Sequence, residues 1–173
     1  MEREGRTSQL WAPWRYAYVS TTGQKREKEC VFCEAPKKSD EEALILYRGE
    51  TAYVILNRYP YNNGHLMIVP NRHVAKLEEL SQEELVEIVK MIRASLKALQ
   101  EAYKPDGFNV GVNIGKAAGA GIEDHVHVHV VPRWFGDTNY MAVLAGVNVI
   151  PQLLSESYRL LKPLMTKYMG EER

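Results

Sequence analysis

The sequence predicts an α+β fold: an antiparallel sheet of about five strands with one long central helix and a C-terminal helix. Three observations lead to this class. Several strand-like segments precede the longest run of helical periodicity, that run is followed by two more strand-like segments, and no helical crossover separates these two. Strands that follow one another without a crossover helix indicate antiparallel pairing.

Three strands are predicted before the central helix. The segments Ala43–Tyr47 and Tyr53–Leu56 favour strands, and Arg48–Thr51 between them has the composition of a hairpin turn. A third strand is predicted over His65–Val69. It should stop at Pro70, because proline has no amide hydrogen to donate to a neighbouring strand.

The central helix is predicted from a serine cap at Ser81 to about Tyr103. Its apolar residues recur at helical spacing: Leu85, Ile88, Val89, Ile92, Leu96 and Leu99. A strand over Phe108–Ile114 follows, and a last helix should start near Pro151 and run past Leu161. The histidine-rich strand described below completes the sheet.

Composition bounds the class of protein. The 173 residues carry 22 basic and 22 acidic side chains, so overall charge indicates neither a nucleic-acid nor a membrane partner. No apolar stretch approaches the roughly 20 residues of a membrane span, and the N-terminus lacks the apolar run of a signal peptide. We therefore expect a cytoplasmic protein with an arm at 1–29 that docks by its aromatic residues, a core at 30–140, and a helical extension at 141–173 packed on the same domain.

Histidine and valine alternate from His125 to Val130, and Val131 follows. The functional hypothesis depends mainly on this run. In an extended strand Val126, Val128 and Val130 would enter the core while the three imidazoles line the other face. A half-exposed strand with polar residues outward is the plainer alternative. The first and third imidazoles start roughly 13 Å apart, whereas zinc–nitrogen bonds are about 2 Å, so all three cannot bind one ion. At least one remains as a base, a nucleophile or an anion contact.

Two further motifs point to chemistry. The glycine-rich loop Gly115–Gly121, which includes Gly119 and Gly121, precedes the histidines, and such loops present backbone amides to phosphate oxygens, although the loop can also be a simple turn. Cys30 and Cys33 have a spacing that favours a metal site or a redox pair over a structural disulfide in a reducing compartment. Two buried small apolar side chains are the alternative for this pair.

The sequence resembles the histidine triad (HIT) family of nucleotide hydrolases and transferases, whose signature alternates histidines with hydrophobic residues. The resemblance covers roughly Cys30 to Trp134. The matching segments are His125–Pro132, Leu56–Pro60, Gly64–Pro70 and Asn113–Gly115. The ending Pro132–Met141, with Trp11–Arg15 near the N-terminus, looks like the branch that contains bacterial diadenosine tetraphosphate phosphorylases.

The resemblance implies a HIT-like fold and roles for individual residues. His127 would attack the α-phosphorus of a nucleotide and form a covalent nucleotidyl-histidine intermediate, and His129 would contact the non-bridging phosphate oxygens. Asn57 would reach the ribose hydroxyls, Tyr53 and Ile55 would line the base pocket, and Asn113 would contact phosphate. The family also implies a homodimer, a dinucleoside polyphosphate substrate and a structural zinc ion. The implied zinc ligands are Cys30, Cys33, His73 and His125, with His65 as a supporting residue.

Several alternatives stay open at this point. Related nucleoside phosphoramidases have a loop serine that hydrogen-bonds the leaving group, whereas this chain has Ala120, Gly121 and Ile122 there. Purine nucleoside phosphoramidase activity is nevertheless the second hypothesis for the function within the family. Outside it, His125 and His127 would chelate a catalytic zinc in a metal hydrolase, or the protein would bind nucleotides without turnover.

Overall fold

The computed structural model describes residues 29–137, 150 and 152–172 of the chain. The predicted N-terminal arm lies outside the described residues except for Glu29. Residues 138–149, which join the predicted core to the last helix, lie outside them as well. The domain boundaries expected at 30 and 141 therefore stay predictions.

Five strands form one sheet within the described part of the chain. They are β1 (Ile45–Arg48), β2 (Ala52–Leu56), β3 (Leu66–Pro70), β4 (Gly107–Val112) and β5 (Val128–Arg133). Their spatial order is β1-β2-β3-β5-β4, and all neighbouring strands are antiparallel. The predicted α+β class with an antiparallel sheet is confirmed.

Several strand boundaries differ from the prediction by one or two residues, including both ends of β4, which covers Gly107–Val112 rather than Phe108–Ile114. Strand β1 begins at Ile45 rather than Ala43, because Ala43 ends a short helix and Leu44 adopts a left-handed backbone with φ 65°. Strand β3 includes Pro70, which was predicted to stop it one residue earlier. Pro70 is the last residue of β3, so the proline ends the ladder of hydrogen bonds without interrupting it.

The histidine-bearing strand is shorter than predicted. Strand β5 begins at Val128, so the prediction of a strand from His125 is wrong for the first three residues of the run. The physical reason lies in the hydrogen bonds: the Val126 amide donates to the carbonyl of Val74, beyond the end of β3, at 2.7 Å. The segment before Val128 is thus held by a loop and by side chains, which aim its imidazoles individually.

Four helices lie in the described ranges: α1 (Val31–Glu34), α2 (Asp40–Ala43), α3 (Gln82–Tyr103) and α4 (Leu154–Glu171). Short 3₁₀ turns cover Ala35–Lys37, Leu77–Glu79 and Lys116–Ala118. The predicted serine cap is confirmed, since Ser81 accepts from the Glu84 amide while the Glu84 carboxylate accepts from the Ser81 amide. Helix α4 begins three residues after Pro151, which lies outside the described residues.

The two faces of the sheet bury different clusters. Helices α3 and α4 pack on one face, over a core that includes Val54, Leu66 and Ile68. Val126, Val128 and Val130 belong to this core, as predicted. The other face carries a smaller cluster: Phe32, Ala35, Ala43, Ile45, Tyr53, Ile55, Met67 and Val69. Among the described helices, none combines the length and apolarity needed to cross a bilayer.

Candidate active site and metal centre

The triad imidazoles lie on the sheet face away from α3 and α4. His129 stands in β5 opposite Met67 of β3. The ring centroids of His127 and His129 are 4.7 Å apart, and the ring of Phe32 from α1 lies 4.7 Å from that of His127. His125 and His127 are buried, whereas His129 is half-buried and faces a cleft. The three imidazoles are therefore adjacent but have different surroundings.

The backbone fixes the proton of His127. Its Nδ1 lies 2.9 Å from the carbonyl oxygen of His125, and a carbonyl only accepts, so Nδ1 carries the proton. Burial lowers the pKa of His127 below its ordinary value, which keeps the ring neutral near pH 7. The lone pair of a neutral imidazole then resides on Nε2. A neutral imidazole with this tautomer can attack an electrophile through Nε2, and the predicted role of His127 as nucleophile stays a prediction.

A relay of hydrogen bonds fixes the opposite tautomer in His129. The Nδ1 atom of His65 accepts a hydrogen bond from the backbone amide of Tyr61 at 3.1 Å. The side-chain amide nitrogen of Asn57 lies 3.3 Å from the same atom. His65 therefore holds its proton on Nε2, which lies 3.0 Å from Nδ1 of His129. Since that nitrogen accepts, His129 carries its own proton on Nε2. His129 is consequently a hydrogen-bond donor at Nε2.

Burial keeps both of these imidazoles uncharged. It lowers the pKa of His65 to about 3, with smaller contributions from His129 and His127. Burial and the neighbouring His127 lower the pKa of His129 to about 4. At neutral pH the site therefore presents one lone pair and one N–H donor, without an imidazolium cation among these three rings.

A second cluster brings together all four predicted metal ligands. The ligand atoms of Cys30, Cys33, His73 and His125 lie within 4.8 Å of one another. Sγ of Cys30 is 3.4 Å from Nδ1 of His125, and Sγ of Cys33 is 3.3 Å from Nδ1 of His73. Zinc–sulfur bonds of about 2.3 Å and zinc–nitrogen bonds of about 2.0 Å place tetrahedral S and N ligands about 3.5 Å apart. The four side chains therefore fit a tetrahedral metal ion.

His125 links the Cys/His cluster to His127. Its Nε2–H donates to the carbonyl of Pro70 at 2.9 Å, which leaves Nδ1 as the lone-pair nitrogen facing the thiols. Its own carbonyl accepts from His127. Burial and the neighbouring Cys30 raise the pKa of the Cys33 thiol, a preference that a bound cation would reverse because metals bind the thiolate.

The residues predicted to bind the nucleoside lie near the triad. The side-chain oxygen of Asn57, just beyond β2, accepts from the Tyr59 amide at 2.9 Å. The Tyr53 hydroxyl donates to the carbonyl of Phe32 at 2.7 Å, and Tyr53 and Ile55 are buried in the smaller cluster beside the triad. The assigned contacts with ribose and base stay predictions.

The predicted phosphate contacts lie in two places. Asn113 lines the same cleft as His129. In the glycine loop, Gly119 has φ 85° and its amide donates to the carbonyl of Lys116 at 3.0 Å. A Cβ built at Gly119 or Gly121 would meet nothing within 4 Å, so this loop is sterically open. Phosphate binding by Asn113, Gly119 and Gly121 stays a prediction.

Sequence reasoning missed most of the cleft beside His129. The cleft has a volume of about 340 Å³ and lies over β4 and β5. Its other lining residues are Tyr61, Asn62, Asn109, Val110, Gly111, Val131, Arg133 and Asp137. One signal was available: Asn109, Gly111 and Asn113 alternate along a predicted strand, which puts polar or small residues on one face.

These features agree with a comparison against protein families. The HIT domain model matches residues 38–136, which contain the triad, His65 and His73. The chain therefore belongs to the histidine triad family.

Individual proteins and solved structures are also similar to this chain. AP-4-A phosphorylase of Mycobacterium tuberculosis is 44% identical over 158 residues, which cover 88% of this chain and 81% of that protein. A Zn-bound histidine triad family protein from Mycobacterium smegmatis superposes with a TM-score of 0.65 at 28% identity, over 83% of this chain and 97% of that one. A uridylyltransferase mutant gives a TM-score of 0.66 at 17% identity, over 91% and 55% of the two chains, which shows similarity of fold alone.

Proposed function

We propose that this protein is a nucleotidyl transferase that cleaves dinucleoside polyphosphates at an α-phosphorus, with diadenosine tetraphosphate as substrate and inorganic phosphate as acceptor. The observation that carries the proposal is the pair of opposite tautomers, with a lone pair on Nε2 of His127 beside an N–H on Nε2 of His129. The name of the Mycobacterium tuberculosis relative supports this substrate and acceptor.

In the first half-reaction, Nε2 of His127 attacks the α-phosphorus. The bond between that phosphorus and the bridging oxygen breaks, and the oxygen leaves with the electron pair as part of ATP. The adenylylated imidazole carries a positive charge while Nδ1 keeps its proton. The His125 carbonyl stabilises this charge, because it continues to accept a hydrogen bond from Nδ1–H. His129 donates from Nε2 to a non-bridging oxygen, where negative charge develops.

In the second half-reaction, an oxygen of inorganic phosphate attacks the same phosphorus. The nitrogen–phosphorus bond breaks, its electron pair returns to Nε2 of His127, and the proton of the phosphate passes to solvent. The sum is diadenosine tetraphosphate plus phosphate giving ATP plus ADP. Attack by water in place of phosphate would give AMP instead of ADP.

The reacting adenosine half is assigned to the β2 side of the triad. Asn57 would bind the ribose hydroxyls, while Tyr53 and Ile55 support the wall of the base pocket behind Phe32. Burial of this cluster beside His127 supports the assignment, because an adenine ring needs an apolar surface close to the reacting phosphorus. Asn113, Gly119 and Gly121 would contact the phosphates.

The metal proposed for the second cluster is zinc, in a structural role. Two thiolates and two imidazoles are a common tetrahedral zinc set, and all four side chains are provided by the protein, which leaves no ligand position for substrate. When bound, the ion would tie α1 to the segment before β5. The Zn-bound relative from Mycobacterium smegmatis supports this choice of metal.

Two further assignments complete the proposal. A homodimer would pair β4 of each protomer, since β4 is an edge of the described sheet and exposes Val110. Segments near Trp134 would then approach the neighbouring site. Localisation in the cytoplasm is proposed because free Cys30 and Cys33 suit a reducing compartment.

The geometry does not support a catalytic zinc held by His125 and His127. Within the described residues, the potential ligand cluster contains His125 but not His127. The Nδ1 atom of His127 is bound to a backbone carbonyl, which leaves one nitrogen aimed at the site.

Incubation of purified protein with diadenosine tetraphosphate, with and without inorganic phosphate, tests the function. Chromatography of the products should show ATP and ADP only when phosphate is present. AMP and ATP without phosphate would assign a hydrolase instead. Cleavage of adenosine 5′-phosphoramidate in the absence of any tetraphosphate cleavage would assign a phosphoramidase.

A further inference from the structure

The cleft over β4 and β5 extends well beyond the reacting centre. His129, beside the reacting centre, and Arg133, further along β5, both line it. These two residues lie on the same strand and the same face, four positions apart, which is a distance of about 13 Å. Phosphorus atoms in a polyphosphate are spaced by slightly less than one residue of strand. The cleft is therefore long enough for a short phosphate chain with a group attached at its far end.

The order of the strands sets the position of the cleft relative to the assigned nucleoside pocket. The assigned nucleoside pocket lies at β2, on one side of β5 and separated from it by β3. The cleft lies at β4, on the other side of β5. A substrate whose first nucleoside occupies the β2 side and whose α-phosphorus meets His127 and His129 would extend its remaining part into this cleft.

The chemistry of the far end suits an uncharged group. The Arg133 guanidinium makes two hydrogen bonds to the Asp137 carboxylate, at 2.6 and 2.9 Å, and a third to the side-chain oxygen of Asn109 at 2.8 Å. Asn62 also donates to Asp137, at 2.9 Å. The Arg133–Asp137 pair has no net charge, so it is a weak site for a further phosphate. A planar guanidinium held in this way offers a face on which a base can stack.

The near end is walled by an aromatic ring. Tyr61 is 54% exposed, and its ring lies 5.9 Å from that of His129 at an interplanar angle of 29°. This arrangement leaves the tyrosine beside the path from the reacting phosphorus to Arg133. On the neighbouring strand, Gly111 lies opposite His129 and adds no side chain, and a Cβ there would meet nothing within 4 Å.

We propose that this cleft binds the leaving nucleotide, with the Arg133–Asp137–Asn109 group recognising its nucleoside. This inference rests on the proposed function and deepens it, because it explains how a second nucleoside is recognised apart from the phosphate chain. The site would select dinucleoside polyphosphates over mononucleotides that carry the same number of phosphates.

The test compares diadenosine tetraphosphate with adenosine 5′-tetraphosphate, which lacks only the second nucleoside. The wild-type protein should prefer the dinucleotide by about tenfold or more in kcat/KM. Arg133→Gln and, independently, Asn109→Leu should each bring the ratio of the two kcat/KM values close to one. Arg93→Gln is the matched control, because Arg93 is an exposed, ion-paired arginine on α3, and it should keep the wild-type ratio.

The outcomes separate the two proposals. A wild-type ratio near one, or a ratio that neither cleft variant changes, would overturn the leaving-nucleotide site while leaving the proposed function standing. Absence of cleavage of both substrates by the wild-type protein would overturn the proposed function itself. Thermal melting of each variant confirms that a change in ratio reflects a folded protein.

Discussion

At the scale of single residues, the tautomers of His127 and His129 determine the chemistry of the site. Alternation along the sequence predicted that these imidazoles face away from the core, and it could not predict which nitrogen holds each proton. That assignment depends on the carbonyl of His125 and on the Tyr61 amide, which reaches His129 through His65. The His125 carbonyl lies just before β5 begins, and Tyr61 lies in the loop after β2, so both groups belong to segments outside the strands.

Replacing His127, the proposed nucleophile, should separate the effect on rate from the effect on binding. We expect His127→Ala to abolish turnover of diadenosine tetraphosphate while nucleotide affinity stays within about tenfold of wild type, because the change removes the covalent step. Steady-state kinetics and nucleotide titration measure the two quantities. An equal loss of affinity and rate would indicate that His127 is a ligand or a structural residue instead.

Because His65 fixes the tautomer of His129, substitutions at His65 should lower kcat. His65→Leu removes the donor to Nδ1 of His129, releases the His129 tautomer, and should lower kcat by about 10²-fold. His65→Gln keeps an amide N–H in this region and should retain more activity. The comparison needs kcat for both variants with melting temperatures as a check on folding; equal loss in the two variants would contradict the relay.

The same histidine gives the stability a pH dependence. In the unfolded chain His65 takes up a proton near pH 6.5, but in the folded protein burial delays this until about pH 3. The unfolded state therefore binds more protons in this window, and the free energy of unfolding should fall as pH is lowered through it. Denaturant titrations at pH 7.5, 6.5 and 5.5 should show a slope smaller in His65→Leu by up to about 1.4 kcal/mol per pH unit. Identical slopes would contradict a buried neutral His65.

At the scale of elements, one carboxylate joins α3 to the turn between β1 and β2. Glu87 accepts hydrogen bonds from the backbone amides of Glu50, Thr51 and Ala52, and from the Thr51 hydroxyl. These bonds outweigh the effect of burial and lower the pKa of Glu87. The contact fixes the hairpin on the helix and, through β2, the position of the residues that follow it.

Removing this carboxylate should loosen the hairpin. Glu87→Ala leaves backbone donors without their acceptor, and we expect the free energy of unfolding to fall by about 1–3 kcal/mol. Glu78→Ala, a change at an exposed glutamate in the turn before α3, is the control and should have little effect. Chemical denaturation measures both. A loss at Glu87 no larger than that of the control would contradict its role in holding the turn.

Elements with strong local signals were predicted well. Helix α3 has both its apolar periodicity and its cap in the sequence, so its start and end agree with the prediction. The beginning of β5 was misplaced because the alternating pattern continues to His125 while the sheet partner does not. The pairing of Val126 with Val74 depends on the path of the chain after β3, which no local pattern records.

At the scale of the whole molecule, the two clusters assemble from distant parts of the chain. Cys30 lies beside His125, 95 positions away in sequence, and this set could be predicted only through the resemblance to the histidine triad family, since residue counts alone do not select two of the five histidines. The cleft was less accessible to prediction. Tyr61, Arg133 and Asp137 have no shared motif, and they meet only because the loop before β3 packs against the end of β5.

Loss of the proposed zinc site should reduce the stability of the whole fold. We expect Cys30→Ser to lower the melting temperature by roughly 10 °C or more and to release zinc, because the ion would link α1 to the segment carrying His125. Differential scanning calorimetry and elemental analysis by mass spectrometry give the two readouts. Unchanged melting, with no zinc in the wild-type protein, would contradict the metal assignment.

A search for the nucleotidyl-histidine intermediate is the most direct test of covalent catalysis by His127. Wild-type protein would be mixed with diadenosine tetraphosphate without phosphate, denatured in alkali within one turnover, and analysed by peptide mass spectrometry. We expect one AMP adduct, on Nε2 of His127, that disappears when phosphate is added before denaturation. Formation of products without an adduct on that histidine, or an adduct on His125 or His129 instead, would contradict covalent catalysis by His127.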